Sequence, residues 1–509
     1  MPKQPNLLFV WTDQQSANTL PQYGNDVVET PNLDALADRS TVFENPYVTK
    51  PLCSPSRSTV MTGRYSHSTG ITHNNVPLAA HERCLPELGD FEEYATGWIG
   101  KWHLGDEVFA QHGFDEWVST EDCYHPFYGE DRPQHAHSDY HDYLIEQGYE
   151  PDQREDDGFE WFSRPYVAET VPEEHSKPAF MARAAQRFLE AHRDEPFVLY
   201  VMFLEPHPPF TSPRDDQYDP DEVPLPANFE HDNLDEQIDR VRLTRELIDR
   251  GLNGPTDVIG SPPTEAGWRE LISRYWGLVS LVDTHVGRIL ETVEDHGLDG
   301  ETITVYTSDH GDLMGAHGLV RKMLQFEEVI KVPLFLRVPG TDRLGETVAQ
   351  PVSQIDLVPT LLDAMGQPVP DRLQGYSWLP FLDREGPLEE ENVFVEWNGY
   401  TDPAVDSVSN YGSPSNVPVA REEAAAVWAE MDGDRDLVEL VSDPIRTIVT
   451  PEGWKLNYRR SGEHELYDLD EDPGETENLA TDDEYADLIE ELYAAIVDWQ
   501  LRTRDPVAL

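Results

Sequence analysis

The chain has 509 residues, with 98 acidic side chains against 37 basic ones and a formal net charge of -61. So acidic a surface excludes nucleic acid and anionic membranes as partners, and the length allows one large domain with a smaller companion. The acids run along the whole chain and only seven lysines accompany thirty arginines, the pattern of a protein adapted to high salt, where cations screen self-repulsion.

Cys53, Cys84 and Cys123 are the only cysteines. An odd, sparse set is no disulfide framework and suits a reducing interior. The apolar run Asn6–Trp11 is too short for a signal segment or a membrane span, so a cytoplasmic location is expected.

In chain order, the apolar runs predict strands over Asn6–Thr12, Thr96–Lys101, Phe197–Phe203, Thr302–Thr307, Val332–Val338 and Val393–Glu396. Helical patterns alternate with them, which predicts an α/β fold, a large and mainly parallel sheet sandwiched by helices. One helix is expected to open at Thr30-Pro31, with the threonine as its cap and the proline in its first turn. A long helix is expected over Thr264–His296, and another over Ile355–Met365, ending at Gly366. Three segments read as insertions: residues 123–180, rich in aromatic, histidine and acidic side chains and so a candidate lid, then 210–265 and 400–440. The tail predicts hairpin strands at Ile445–Val449 and Trp454–Tyr458 and an amphipathic helix over Asp483–Arg502. The expected division is a catalytic α/β domain over residues 1–400 and a smaller C-terminal α+β subdomain, with a short antiparallel sheet, over 401–509.

Polar clusters close four of the predicted strands: Thr12–Gln15, Gly100–Gly105, Glu205–Phe210 and Ser308–Asp312. Open α/β sheets bind their ligands at such strand ends. Asp13 and Asp309 offer hard oxygen ligands, Gln14 a neutral carbonyl oxygen and His310 an imidazole nitrogen. An aspartate at a strand end often just caps the next helix; a pair of them favours a metal. Lys101 and Lys322 are two of the scarce lysines, compact charges suited to sulfate or phosphate oxygens. His103 and His207 have side chains that ordinarily titrate near neutrality, as proton transfer needs. Cys53 opens the run Cys53-Ser54-Pro55-Ser56-Arg57; if the run is helical, Arg57 lies one turn on, sharing a face with the sulfur and able to hold an oxyanion there.

That run, Cys-x-Pro-x-Arg with Thr62-Gly63 after it, resembles the signature of the type I sulfatases of the alkaline phosphatase superfamily. The likeness extends from the strand at residue 6 to the Leu-Tyr-Asp-Leu and Asp-Pro-Gly-Glu tail at 466–475. It implies an alkaline phosphatase-like fold and a Cys53 oxidised to formylglycine by a formylglycine-generating enzyme. It also implies one divalent metal on Asp13, Gln14, Asp309, His310 and the modified side chain at 53. Arg57, Lys101, His103, His207 and Lys322 would then line a sulfate pocket, with His207 and Lys322 protonating the departing alcohol and His103 acting as the base that releases sulfate. Calcium is the family's usual metal. Gln14 and His310 stand where many members carry aspartate and asparagine, which makes manganese or magnesium more credible, and relatives with this same pair cleave phosphonate and phosphate esters.

The implied activity is hydrolysis of a small sulfated sugar, alcohol or aryl sulfate. A phosphonate monoester or phosphodiester hydrolase using the same site is one alternative. A non-catalytic anion- or sugar-binding protein with unmodified Cys53 is another. His317 is balanced between substrate contact and a turn. His125, His135, His137 and His141 read as lid and pocket material, Cys84 and Cys123 as small hydrophobes, and Glu389-Glu390-Glu391 as a solvated face.

Overall fold

The computed structural model describes residues 4–388, 392–399, 421–433 and 435–509. The acidic run Glu389-Glu390-Glu391 and residues 400–420 of the third expected insertion lie outside the described residues; its acidic helix, Arg421–Glu430, lies within them.

Among the described residues, eight strands form the large sheet: β1 Asn6–Asp13, β2 Thr41–Tyr47, β3 Ala95–Gly100, β4 Glu116–Val118, then β7 Phe197–Pro206, β8 Thr302–Ser308, β9 Leu334–Arg337 and β10 Thr347–Ser353. Between them β5 (Gln153–Arg154) and β6 (Glu160–Trp161) make a small hairpin. The sheet order is β10-β2-β9-β8-β1-β7-β3-β4. Only β9 runs against the rest. The sheet is mainly parallel, as expected; β9 reverses because the link from β8 carries only short helical turns, Ala316–Gly318 and Glu327–Ile330, and no long helical crossover to return the chain in parallel. β2 and β10 escape a pattern reading because polar residues and a proline interrupt each of them; β10, with Pro351, is an edge strand.

The central strands are continuous apolar runs because helices cover both faces. Along β7, Phe197, Leu199, Val201 and Phe203 enter one core, while Val198, Tyr200 and Met202 enter the other. The first core holds the long helix Glu265–Asp295, close to the predicted span. The second holds helices Cys53–Thr62 and Leu357–Ala364, the latter led in by a tight turn at Gln354–Asp356. The helix at Pro31–Ala37 forms as expected, but Thr30 accepts no capping bond from it. Asp283 of the long helix does so instead, accepting from the N–H groups of Asn32 at 3.0 Å and Leu33 at 2.8 Å.

A second sheet is antiparallel, in the order β11 (Val393–Trp397), β12 (Ile445–Val449), β13 (Trp454–Arg459), β14 (Glu465–Asp468). The strand expected at Val393–Glu396 therefore belongs to this sheet, which takes one strand from ahead of residue 401. The terminal helix Ala486–Thr503 packs on it through Leu492, Ile496 and Trp499. Among the described residues no helix is long and apolar enough to cross a membrane.

Candidate active site

Asp13 is the last residue of β1, and Lys101, His207 and Asp309 each directly follow β3, β7 and β8 or the residue that ends them. The order β8-β1-β7-β3 makes these strands neighbours. Four clusters far apart in sequence are thus set side by side along one sheet edge. The chain leaves that edge under strain: Gln14 and His103 have φ of 69° and 59°, a region that side chains disfavour and that gathers at functional sites. Gly100, at φ 112°, lies so close to β7 that a Cβ would stand 2.0 Å from the Met202 carbonyl oxygen.

Cys53 is the first residue of the helix Cys53–Thr62, with Pro55 in its opening turn and Gly63 ending it at φ 64°. Its sulfur lies 2.8 Å from Lys322 Nζ, 3.3 Å from His310 Nε2 and 3.8 Å from Asp13 Oδ1. Burial and Asp13 push the thiol up, but Lys322, Lys101 and His310 outweigh them and bring it down to about 7.

Arg57 does lie one turn on, yet its fork is engaged by protein. Nε donates to Asp309 Oδ2 at 3.0 Å, Nη2 to Asp13 Oδ2 at 2.8 Å and Nη1 to the Lys101 carbonyl at 2.9 Å. Lys101 Nζ also donates to Asp13 Oδ2, at 2.6 Å. Burial opposes the charge on Asp13, but the cations Lys101, Arg57 and Lys322 hold its carboxyl well below the usual range. The Oδ2 atoms thus meet the cations. The Oδ1 atoms of Asp13 and Asp309 lie 3.8 and 3.5 Å from His310 Nε2.

His310 Nδ1 donates to the Gly311 carbonyl at 2.9 Å, which turns Nε2 toward the sulfur and the carboxylates. Gln14 Nε2 donates to Asp312 Oδ2, so its Oε1 turns inward and accepts from Lys322 Nζ at 2.9 Å. One ligand atom each from Asp13, Cys53, Asp309 and His310 lies within 4.8 Å of the others, all four residues being buried. The donor set fits a cation: Lys322 brings its ammonium to Gln14 Oε1, the sulfur and His310 Nε2, three of the atoms that a metal would share.

His103 Nε2 lies 3.0 Å from Asn75 Oδ1, and its ring packs 4.4 Å from that of Tyr124. His207 Nδ1 donates to the Pro208 carbonyl at 2.7 Å. Both histidines are pushed well below the ordinary value, by burial above all and then by cations that include Lys101. Burial and the neighbouring cations thus favour the neutral imidazole at both positions.

Four contributors were not visible in the sequence. Asp312 orients Gln14, and only its place in the run Ser308–Asp312 hinted at a role. Asn75 holds His103. Glu107 accepts from the N–H groups of Trp102 and His103 at 2.7 and 2.6 Å. Tyr124 lies under an arginine, Arg164 Nη2, which donates to its hydroxyl at 2.9 Å. His317 is buried in a turn, with Nδ1 3.1 Å from His231 Nε2 and Nε2 3.2 Å from Asn228 Nδ2. Cys84 and Cys123 are buried free thiols.

A strand-edge centre of carboxylates, amide and imidazole, a helix-borne cysteine and three cations suits a hydrolase of anionic esters on an alkaline phosphatase-like fold. Residues 5–367 match the sulfatase family model, and the chain belongs to the sulfatase family, whose activity is sulfuric ester hydrolysis. An N-acetylglucosamine-6-O-sulfatase of Bacteroides thetaiotaomicron is 27% identical, the match covering 99% of this chain and 87% of the relative. A choline-sulfatase of Rhizobium meliloti is also 27% identical, over 94% of this chain and 82% of the relative. In fold, the chain resembles a phosphonate monoester hydrolase from Silicibacter pomeroyi, with a TM-score of 0.77 and 24% identity over 99% of this chain and 96% of the other.

Proposed function

We propose that the chain hydrolyses a small sulfate ester with a formylglycine made from Cys53 by a formylglycine-generating enzyme and with one divalent metal. The observation that carries this reading is the position of the Cys53 sulfur, at a helix start 2.8 Å from Lys322 and among the buried donors Asp13, Asp309 and His310. A divalent ion held by Asp13, Gln14, Asp309, His310 and the side chain at 53 would acidify the attacking hydroxyl and neutralise oxyanion charge. The hydrated aldehyde at 53 offers one hydroxyl to attack sulfur and a second whose deprotonation expels sulfate, a step for which a thiol has no counterpart.

The chain's own residues supply the rest. Arg57 and Lys101 hold Asp13, and Arg57 also holds Asp309, so both carboxylates stay ionised when the centre fills. Lys322, only half-buried, meets the ester and gives the departing alcohol its proton, with His207 beside it. His103, neutral and steadied by Asn75, takes the proton from the second hydroxyl. The domain of the large sheet carries this chemistry, and the antiparallel sheet that opens with Val393–Trp397 belongs to the smaller companion. An amide and an imidazole among the ligands, in place of further carboxylates, weaken the case for calcium and favour a transition metal such as manganese. The same pair supports the second reading, in which the ester is a phosphonate or phosphodiester. Dispersed acid with few lysines supports a salt-adapted, cytoplasmic enzyme.

Peptide mass mapping of residue 53, followed by turnover of 4-nitrophenyl sulfate and a phenyl phosphonate ester with manganese, magnesium and calcium exchanged, tests the reading. Formylglycine and faster sulfate turnover are expected. Faster phosphonate turnover selects the second reading, and a thiol-bearing protein from its native host, inactive on every ester, overturns both.

A further inference from the structure

Beyond the catalytic centre, the segment that follows β4 gathers four of the 18 histidines within residues 125–141. Three side chains there converge without sharing a residue with the active site. Asp122 Oδ1 accepts from the Ser138 N–H at 2.6 Å, and its Oδ2 lies 3.0 Å from His141 Nδ1. The His137 ring stacks on that of His141 at 3.9 Å between centroids. His137 Nδ1 is buried with no hydrogen-bond partner, an arrangement that costs free energy unless something accepts or coordinates there. One ligand atom from each of Asp122, His137 and His141 lies within 4.8 Å of the others. Beside them a cavity of about 10 Å³ is lined by residues including Asp122, Ser138 and His141, room for one water-sized species. Arg164 and Lys177 also line it, but both are paired with Glu121, which offsets much of their repulsion toward a cation.

We infer that Asp122, His137 and His141 form a second metal site, for a divalent transition-metal ion of zinc type completed by water. Two imidazoles and one carboxylate suit such an ion and not calcium or magnesium, which take oxygen ligands. Zinc bonds of about 2.0–2.1 Å in a tetrahedron set ligand atoms about 3.4 Å apart. The 3.0 Å between Asp122 and His141 is close to that edge, and rotation of the half-buried His137 ring supplies the next. Binding at His141 Nδ1 replaces the hydrogen bond to Asp122 Oδ2, the ring proton moving to Nε2 so that the imidazole stays neutral. Burial keeps the His137 imidazole neutral, with its lone pair available. The ion fastens the loop two residues ahead of Tyr124, whose ring covers His103.

The test uses the full-length protein, stripped by chelator, loaded with cobalt(II) and dialysed against molar KCl, which removes ions held only by the acidic surface. Metal analysis is expected to find two equivalents in the parent and one in H137Q and D122N. The visible band of tetrahedral cobalt disappears in both variants. His137→Gln removes a half-buried ring, and Asp122→Asn keeps the acceptor for Ser138, so both fold by circular dichroism. Equal metal content and the same cobalt spectrum in parent and variants overturn the site.

Discussion

Asp13 is a carboxylate with two faces: Oδ2 takes Lys101 and Arg57, while Oδ1 is left to the sulfur and His310. The same division of labour recurs at Asp312, where Oδ1 accepts from the Met314 and Arg321 N–H groups and Oδ2 from Gln14. Asp312→Asn therefore keeps the backbone bonds and sets an amide NH2 against that of Gln14, which flips and turns its own NH2 into the metal centre. Loss of such an orienting partner lowers metal affinity by about 10–100-fold, and a manganese titration by calorimetry measures it. At Cys53 the sign follows from Lys322, whose ammonium favours the thiolate. In metal-free protein made without the maturation enzyme, thiolate absorbance should rise with a midpoint about 7, and K322M should move that midpoint upward. The reacting residues were legible because strand ends, a scarce lysine and a long motif mark them individually. Asp312, Asn75 and the carboxylate grip on Arg57 were not, since each is a contact across the fold that no local spacing encodes.

At the level of elements, Gly100 ends β3 against the backbone of β7. Gly100→Ala meets the Met202 carbonyl at 2.0 Å from a left-handed φ, so a destabilisation of more than about 2 kcal/mol is expected in denaturant melts, with activity lost alongside because Lys101 is the next residue. The turn after the Cys53 helix carries a different tie. His67 Nδ1 meets Glu396 Oε2 at 2.7 Å, and its Nε2 lies 3.3 Å from the Thr503 carbonyl at the end of the terminal helix. Although burial opposes it, Glu396 raises the His67 pKa above its ordinary 6.5. A group raised on folding stabilises below its unfolded pKa and loses that contribution as pH climbs through the folded one. The thermal midpoint should accordingly fall as pH rises above the ordinary histidine value of 6.5, and H67Q should flatten the fall. β1 and β7, with unbroken apolar runs, and β8, where Ile303, Val305 and Tyr306 stand among β-branched threonines, were readable from sequence because they are central. β2, β4 and β10 were not: β4 is three residues long, and a proline and polar side chains interrupt the other two, whose pairing comes from neighbours already in place.

For the whole molecule the governing quantity is the net charge of -61. Screening shortens from about 30 Å at 0.01 M salt to about 3 Å at 1 M, so the thermal midpoint should rise steadily from 0.1 to 3 M KCl; a flat or falling curve would contradict salt adaptation. Topology adds a consequence in time. Arg57 and Asp309, bonded at 3.0 Å, are 252 residues apart in the chain, and Cys53 is 1% exposed once they meet. At a synthesis rate of about 5–20 residues per second, the growing chain presents its Cys53 for on the order of 10–50 s before Asp309 exists to close over it. On the proposed reading, an enzyme that oxidises this sulfur has to reach it before the fold closes.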